Sequence, residues 1–306
     1  MKPFAIGIDI GGTHLRLGAV TPEGQVEHFE KKSSQNLREG DGPANLIEDI
    51  RQYLAQHQLE GQVEAIAIGI PGTVSKDKRQ VFSAPYLSGF SGIELKQRLE
   101  QQLGLPVYLD RDANFLLYSD MYCHKDIIDT NKMEMLVGLY FGSAVANAFF
   151  IHGSFYDGAS GVAGEIGHNP LYGLEERDVC GNTGCAGLRC GGKYLEKIAG
   201  LYYPEIPFHQ IFEKKKEERR IRQFVTDMAI PITQVANILD PDLIFVAGGV
   251  TDMPEFPWDL LDEAAREHMR HPLPAESCKL VFTRHSAQSG VLGAGLYVFF
   301  ERAAER

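Results

Sequence analysis

An α/β protein with two domains closing on a cleft is what the sequence predicts, and two observations carry the expectation. Short apolar runs of strand character alternate with amphipathic helical patterns along the whole chain. The plan of strand, small-residue turn and strand also occurs twice, over residues 4–20 around Gly11-Gly12-Thr13 and over 135–151 around Gly142-Ser143-Ala144. At 306 residues the chain is long enough for two domains of ordinary size. The expected division is 1–114 together with a C-terminal helix at 290–306, and 115–289.

Composition excludes several classes. A formal charge of -11 and the absence of a sustained basic tract argue against a nucleic-acid surface, which needs clustered Lys and Arg. The run Lys214-Lys215-Lys216 is flanked by Glu213, Glu217 and Glu218 and reads as a solvated helix surface. No apolar stretch has the length of a membrane span, and a strand begins almost at once, leaving no room for a signal peptide. A cytoplasmic protein is expected. Five cysteines, three of them between Cys180 and Cys190, suit a reduced compartment and a metal better than a disulfide framework.

Taken in order, strands are expected at about 4–10, 14–20 and 25–31. The first ends at Gly11-Gly12-Thr13, whose bare amides and hydroxyl suit a phosphate: glycine permits close approach, and successive amides form an anion-binding concavity. Asp9 at the strand end would hold Mg²⁺ through water, because Mg²⁺ dehydrates reluctantly and favours a carboxylate plus phosphate oxygens. A plain tight hairpin is the alternative. After a polar connection from Ser33 to Gly42, Leu46, Ile47, Ile50, Tyr53 and Leu54 mark a helix. Val63 to Ile70 is a strand that stops at the turn Pro71-Gly72-Thr73-Val74. A helix over about 92–103 then leads into a strand at 106–112.

That strand stops on Asp110-Arg111-Asp112-Ala113-Asn114, and a helical pattern through Phe115, Leu116, Leu117 and Tyr118 follows. Ligands of open α/β sheets bind at such strand ends. Asp112 is the expected catalytic base, helix capping by Asp112 and Asn114 being the alternative.

In the second half, Gly142 and Ser143 would supply a second phosphate loop, so that a nucleotide meets one from each side, an ordinary hairpin being the alternative. Glycines at 158, 161, 164 and 167 put Glu165 and His168 on irregular backbone, where a carboxylate and an imidazole suit sugar hydroxyls. Cys180-Gly181-Asn182-Thr183-Gly184-Cys185, with His168 upstream, suits a structural Zn²⁺ completed by Asp178 or Cys190. Zinc would fix one imidazole nitrogen of His168 and leave the other for substrate. A helix from about Gly191, a helical pattern from Arg219 to Leu239 that Pro231 should kink, and a strand at 243–247 follow. Gly248-Gly249-Val250 ends that strand, and its small residues would let adenine lie against backbone, a Gly-Gly turn for packing being the alternative. A helix from Phe256, a strand near 280–282 and a Gly/Ala-rich helix from Gln288, expected to pack on the N-terminal domain, complete the chain.

Together these pieces resemble the ROK family of sugar kinases and repressors, of the actin-like, ribonuclease-H-like fold, along nearly the whole chain. The matching residues are Asp9-Ile10-Gly11-Gly12-Thr13, Pro71-Gly72, Asp112-Ala113-Asn114, Gly161 to His168, the Cys180 to Cys185 knuckle, and Asp240-Pro241 leading to Gly248-Gly249-Val250. The resemblance implies ATP- and Mg²⁺-dependent phosphorylation of an aldohexose at its 6-hydroxyl in a homodimer. Asp9, Gly11, Gly12, Thr13, Gly142, Ser143, Gly248 and Gly249 would hold the nucleotide, and Gly72, Arg111, Asp112, Glu165 and His168 the sugar. Repressors of the family carry an N-terminal helix-turn-helix domain, whereas this chain starts on its first phosphate strand, which favours the kinase branch.

Within that branch the chain is similar to the D-allose kinases. Val74-Ser75-Lys76-Asp77-Lys78-Arg79 follows the Pro-Gly turn, Arg111 stands where family glucokinases have asparagine, and Asp252-Met253-Pro254-Glu255-Phe256-Pro257 follows the Gly-Gly turn. The family pattern is broken at Asp178 in place of a first knuckle cysteine, Gly187 in place of a sugar-binding glutamate, the loop Gly142 to Ala146, and Tyr86 in place of an asparagine. These changes imply weaker hexose binding or a shift of sugar. Glucose or N-acetylmannosamine is the alternative substrate, and a non-catalytic sugar-binding sensor the alternative function.

Overall fold

Strict alternation gives the first sheet two unlike faces. In β1 (Phe4–Ile10) the residues Ile6, Ile8 and Ile10 face one core, while Ala5, Gly7 and Asp9 face the other way. The computed structural model describes residues 3–87, 89–129 and 132–304. Thr130 and Asn131 of the expected polar link, and Glu305 and Arg306 of the expected terminal helix, lie outside them. The chain separates into two units: Met1–Ile128, Asp157–Ala163 and Ser286–Arg306 form one, Asp129–Tyr156 and Gly164–His285 the other.

The first unit continues with β2 (His14–Val20), β3 (Val26–Ser33), α1 (Gly42–Gln56), β4 (Val63–Ile70), the short pair β5 (Thr73–Val74) and β6 (Val81–Ser83), α2 (Leu95–Leu103), β7 (Val107–Arg111) and α3 (Asp112–Cys123). Its main sheet has the order β3-β2-β1-β4-β7. β1 pairs antiparallel with β2 and parallel with β4, and β4 pairs parallel with β7. The isoleucines of β1 and β4 pack against Leu46, Ile47, Ile50, Tyr53 and Leu54 of α1, which recur at helical spacing. On the opposite face Ala5, Ala65 and Ala67 meet Phe115 of α3 and Ala294 and Val298 of α9 (Ser289–Ala304). The small residues there let backbones touch. A Cβ at Gly7 would lie 2.0 Å from the Val291 carbonyl oxygen, and one at Gly293 only 1.7 Å from that of Phe115. The expected boundary at 114/115 falls inside α3.

The second unit holds β8 (Met135–Phe141), β9 (Val145–Ile151), β10 (Ser154–Phe155), α4 (Gly187–Cys190), α5 (Gly192–Tyr202), α6 (Ile211–Lys215), α7 (Arg219–Leu239), β11 (Leu243–Ala247), α8 (Trp258–His268) and β12 (Leu280–Phe282). The sheet order β10-β9-β8-β11-β12 repeats the plan of the first, with one antiparallel neighbour and one parallel neighbour at the strand that precedes the small-residue turn. α7 packs over this sheet through Phe224, Met228, Ile232 and Val235.

α7 runs through Pro231 over the span that the helical pattern predicts. Proline has no N–H to give the carbonyl four residues back, here Asp227. The Cys190 thiol takes that place, donating to the Asp227 carbonyl oxygen at 3.1 Å. No described helix is long and apolar enough to cross a membrane.

Candidate active site

In the first unit the strand ends carry the chemistry. Register places Asp9 beside Gly69 and Gly69 beside Asp110, so β1, β4 and β7 present one row. At roughly 4.8 Å per strand the row spans about 10 Å. Asp9 faces Arg16 across the β1/β2 pair, with Nη1 to Oδ2 at 2.7 Å, and keeps 18% of its side chain exposed. Beyond it the turn Gly11-Gly12-Thr13 is closed by Gly11 N–H donating to His14 O at 2.8 Å. A Cβ at Gly12 would meet nothing within 4 Å, so its amide stands on open backbone.

Two residues past Asp110, Asp112 is the first residue of α3. The cap position belongs to Arg111, which makes no side-chain cap bond, and Asp112 Oδ1 accepts from Ala113 N–H at 2.8 Å. Asn114 does not cap either. Its amide donates to Asp110 Oδ1 at 2.8 Å. A Cβ at Gly69 would lie 3.1 Å from Asp112 Cα, so the glycine makes room for the turn into α3.

Arg111 is buried at 6% exposure, and its guanidinium donates to the Ala163 carbonyl. Asp110 is buried at 1%. Its Oδ1 also accepts from Arg111 N–H at 2.7 Å and pairs with Lys78 Nζ at 2.8 Å. Lys78 pairs in addition with Asp157. Burial raises the Asp157 pKa above the ordinary value, only partly offset by Lys78. Gly72 has a packing reason to be glycine: a Cβ there would lie 2.2 Å from the Ser83 carbonyl oxygen.

In the second unit, the turn after β8 is tied down through its carbonyls. Gly142 O accepts from Gly192 N–H at 2.8 Å and Ser143 O from Lys193 N–H at 3.1 Å, both at the start of α5. Gly248 lies at φ 124°, and a Cβ there would strike the Phe141 backbone at 2.6 Å. Gly248 and Gly249 therefore sit beside the Gly142 turn. Ile166 N–H donates to the buried Asn147 Oδ1 at 3.1 Å, which fixes the loop carrying Glu165 and His168. His168 Nε2 lies 3.7 Å from Glu165 Oε2. Glu165 also borders a cavity of about 320 Å³ walled by Phe149, Ile166, Val235 and Ile238.

His168, Asp178, Cys180 and Cys185 converge, one ligand atom from each lying within 4.8 Å of the others. His168 Nδ1 is 3.0 Å from Asp178 Oδ2, Cys180 Sγ is 3.3 Å from the same oxygen, and the two sulfurs are 3.6 Å apart. Zinc at about 2.3 Å from each sulfur would put them roughly 3.8 Å apart at a tetrahedral edge. The donor set fits Zn²⁺. Burial, with hydrogen bonds to Asp178 and Cys180, pushes the Cys185 thiol up to about 12. Burial raises Asp178 too, but hydrogen bonds from Cys185 and Cys180 outweigh it and leave the carboxyl below its ordinary range. Of the two candidates for the fourth ligand, Asp178 joins the cluster and Cys190 does not, being committed to Asp227.

Sequence reasoning missed Lys78, Asp110 and Asp157 as one group. The cation-rich run Ser75 to Arg79 was visible, but its partners lie 32 and 79 residues away.

A family model described as the ROK family matches residues 5–299. The chain belongs to the ROK family. Among curated relatives, an N-acetyl-D-glucosamine kinase of Vibrio cholerae serotype O1 is 27% identical, the match covering 94% of this chain and 97% of the relative. A glucokinase of Halalkalibacterium halodurans is 26% identical over 96% of this chain and 94% of its own. Among solved structures, a ROK family glucokinase from Streptomyces griseus in complex with glucose and AMPPNP superposes with a TM-score of 0.77 at 23% identity, covering 95% of this chain and 98% of that one. The fold is thus the actin-like α/β fold of ROK sugar kinases, with its two sheets of like topology.

Proposed function

We propose that this ROK protein transfers the γ-phosphoryl group of ATP to the 6-hydroxyl of an aldohexose, with D-allose the preferred sugar. The observation that carries the reading is the row of strand ends in the first unit: an aspartate and a glycine turn on β1, Gly69 on the neighbouring β4, and Asp112 opening α3 with its Cα 3.1 Å from where a Gly69 Cβ would lie. That arrangement suits phosphates at the turn and an acceptor hydroxyl at Asp112. In the reaction Asp112 takes the proton of the 6-hydroxyl as the O6–P bond forms and the bond to the leaving ADP oxygen breaks. The rest is positioning and charge stabilisation. Gly11, Gly12 and Thr13, with Gly142 and Ser143, hold phosphates, and Gly248 and Gly249 leave room for adenine. Asp9 would hold Mg²⁺, whose charge offsets that of the phosphates. Glu165 and His168 hold sugar hydroxyls. Zinc on His168 Nδ1, Asp178, Cys180 and Cys185 would fix the knuckle and leave Nε2 for the sugar.

D-Allose is favoured by Arg111. A buried guanidinium in place of an amide beside the base changes which hydroxyls can be paired, and an unpaired buried polar group discriminates strongly. The deciding assay is ATP- and Mg²⁺-dependent phosphorylation of D-allose, D-glucose, D-mannose and N-acetylmannosamine, with Asp112→Asn alongside. Highest kcat/KM on D-allose is expected, with a loss of about 10²- to 10⁴-fold in kcat for the variant. Wild-type turnover by Asp112→Asn removes the base, and a glucose or N-acetylmannosamine preference removes allose. Sugar binding without turnover on any of the four replaces the kinase with a sensor. The family resemblance also supports a homodimer, and exposed Ile238 and Leu239 at the end of α7 offer apolar surface for it. Light scattering should give twice the 34.0 kDa chain mass, and a monomer at assay concentration refutes it.

A further inference from the structure

The segment Asp157–Ala163 belongs to the first unit although the residues on both sides of it, Tyr156 and Gly164, belong to the second. Three contacts hold it there. At its start Asp157 pairs with Lys78, and at its end the Ala163 carbonyl accepts from the Arg111 guanidinium. Midway, Gly161 lies at φ 81°, where a Cβ would stand 2.5 Å from Val74 O and 2.9 Å from Lys76 N. Only glycine lets the backbone press this closely on the turn that carries Lys78.

That turn is itself well ordered by its own hydrogen bonds. Ser75 Oγ accepts from Arg79 N–H at 3.1 Å and Gln80 N–H at 2.9 Å, and donates to Asp77 Oδ1 at 2.6 Å. Lys78 adopts φ 58°, and its ammonium reaches both Asp157 and, at 2.8 Å, Asp110. A buried carboxylate such as Asp110 needs a cation or a full set of donors. Lys78 supplies the charge, while Arg111 N–H and the Asn114 amide supply two further bonds. One ammonium thus connects the carboxylate two residues ahead of Asp112 with the segment that leads into Glu165. The Lys78–Asp157 pair is partly buried, and such a pair is weak evidence of net stabilisation. Its effect lies in geometry.

We propose that Lys78 is a positioning residue of the sugar site: by bridging Asp110 and Asp157 it holds segment Asp157–Ala163 in place, and with it the carbonyl that orients Arg111. The proposal rests on the reading that Arg111 and Asp112 meet the sugar. Preorganisation of this kind appears in affinity, because a loose segment must be ordered each time the sugar binds. Removing such an interaction raises KM and leaves kcat alone.

The test compares the 306-residue chain with Lys78→Met, Lys78→Arg and Asp157→Asn, by steady-state kinetics and by hydrogen–deuterium exchange of the amides of residues 157–163. Lys78→Met is expected to raise the sugar KM by about tenfold, with kcat within about twofold and the ATP KM unchanged. Exchange in 157–163 should quicken, and Lys78→Arg should restore both. An unaltered sugar KM, or unaltered exchange, in Lys78→Met overturns the proposal, as does a fall in kcat at constant sugar KM. Should Lys78→Met fail to fold, Asp157→Asn carries the test with the same expected directions. If the parent turns over none of the four sugars, the kinase reading fails, and the exchange comparison alone decides whether Lys78 holds the segment.

Discussion

Asp110, Asp112 and Asp178 show how neighbours divide the work of identical side chains. Asp112 opens a helix at a strand end, Asp110 two residues earlier is sealed under Lys78 and Asn114, and Asp178 faces a histidine and two thiols. The cysteines divide in the same way. Cys180 and Cys185 stand in the candidate zinc site, whereas Cys190, its thiol kept protonated by burial, serves the carbonyl orphaned by Pro231. The two roles predict opposite outcomes. Cys180→Ala should abolish zinc in metal analysis of purified protein, while Cys190→Ala should keep the zinc and lower thermal stability by about 1–3 kcal/mol, the cost of an unsatisfied buried carbonyl. Zinc lost from Cys190→Ala, with its fold intact, would place Cys190 in the metal site after all.

Among the elements, α1 shows a charge at work on a helix end. Asp41 caps it, accepting from Ala44 N–H at 3.1 Å, and pairs with Arg98 of α2 at 2.5 Å. The Arg98 hydrogen bond first, then that of Ala44, holds the Asp41 pKa below its ordinary value. A carboxyl with a depressed folded-state pKa stabilises above the unfolded pKa, and that contribution fades as pH falls through the folded value. The melting temperature of the parent should therefore exceed that of Asp41→Asn at neutral pH, the gap closing below about pH 4. A gap that is constant with pH would mean the charge plays no part. The elements also mark the limits of local reading. Helical spacing in α1 and strand alternation in β1 and β4 were plain because each pattern lies within one element. The thiol that serves the carbonyl orphaned by Pro231 in α7 was not, since Cys190 lies 37 residues from Asp227.

For the whole chain, stretches distant in sequence meet in the core of the first unit. The first unit is assembled from three separate stretches, and its sheet buries one face under α9, which comes from the C-terminal end. Without α9, the face formed by Ala5, Ala65, Ala67 and Phe115 is left to water, an apolar loss no local interaction replaces. A fragment of residues 1–128 should show no cooperative thermal unfolding by circular dichroism, and appending 286–306 through a flexible linker should restore it. Cooperative melting of 1–128 alone would contradict this account of the core.

By itself the sequence determined the fold class, the strand-turn-strand plan used twice, and the candidate site residues whose chemistry is local. The glycine turn after Asp9, the junction at Asp112 and the knuckle from Asp178 to Cys185 each lie within a few consecutive residues, so their spacing carries their meaning. Only the tertiary structure gathered Asp178 rather than Cys190 with His168, Cys180 and Cys185, tied Arg111 to the Ala163 carbonyl, and brought Lys78 to Asp110 and Asp157. Those choices depend on charges and hydrogen bonds between residues tens of positions apart, and which of several possible partners a buried group meets is fixed by sheet register and backbone packing.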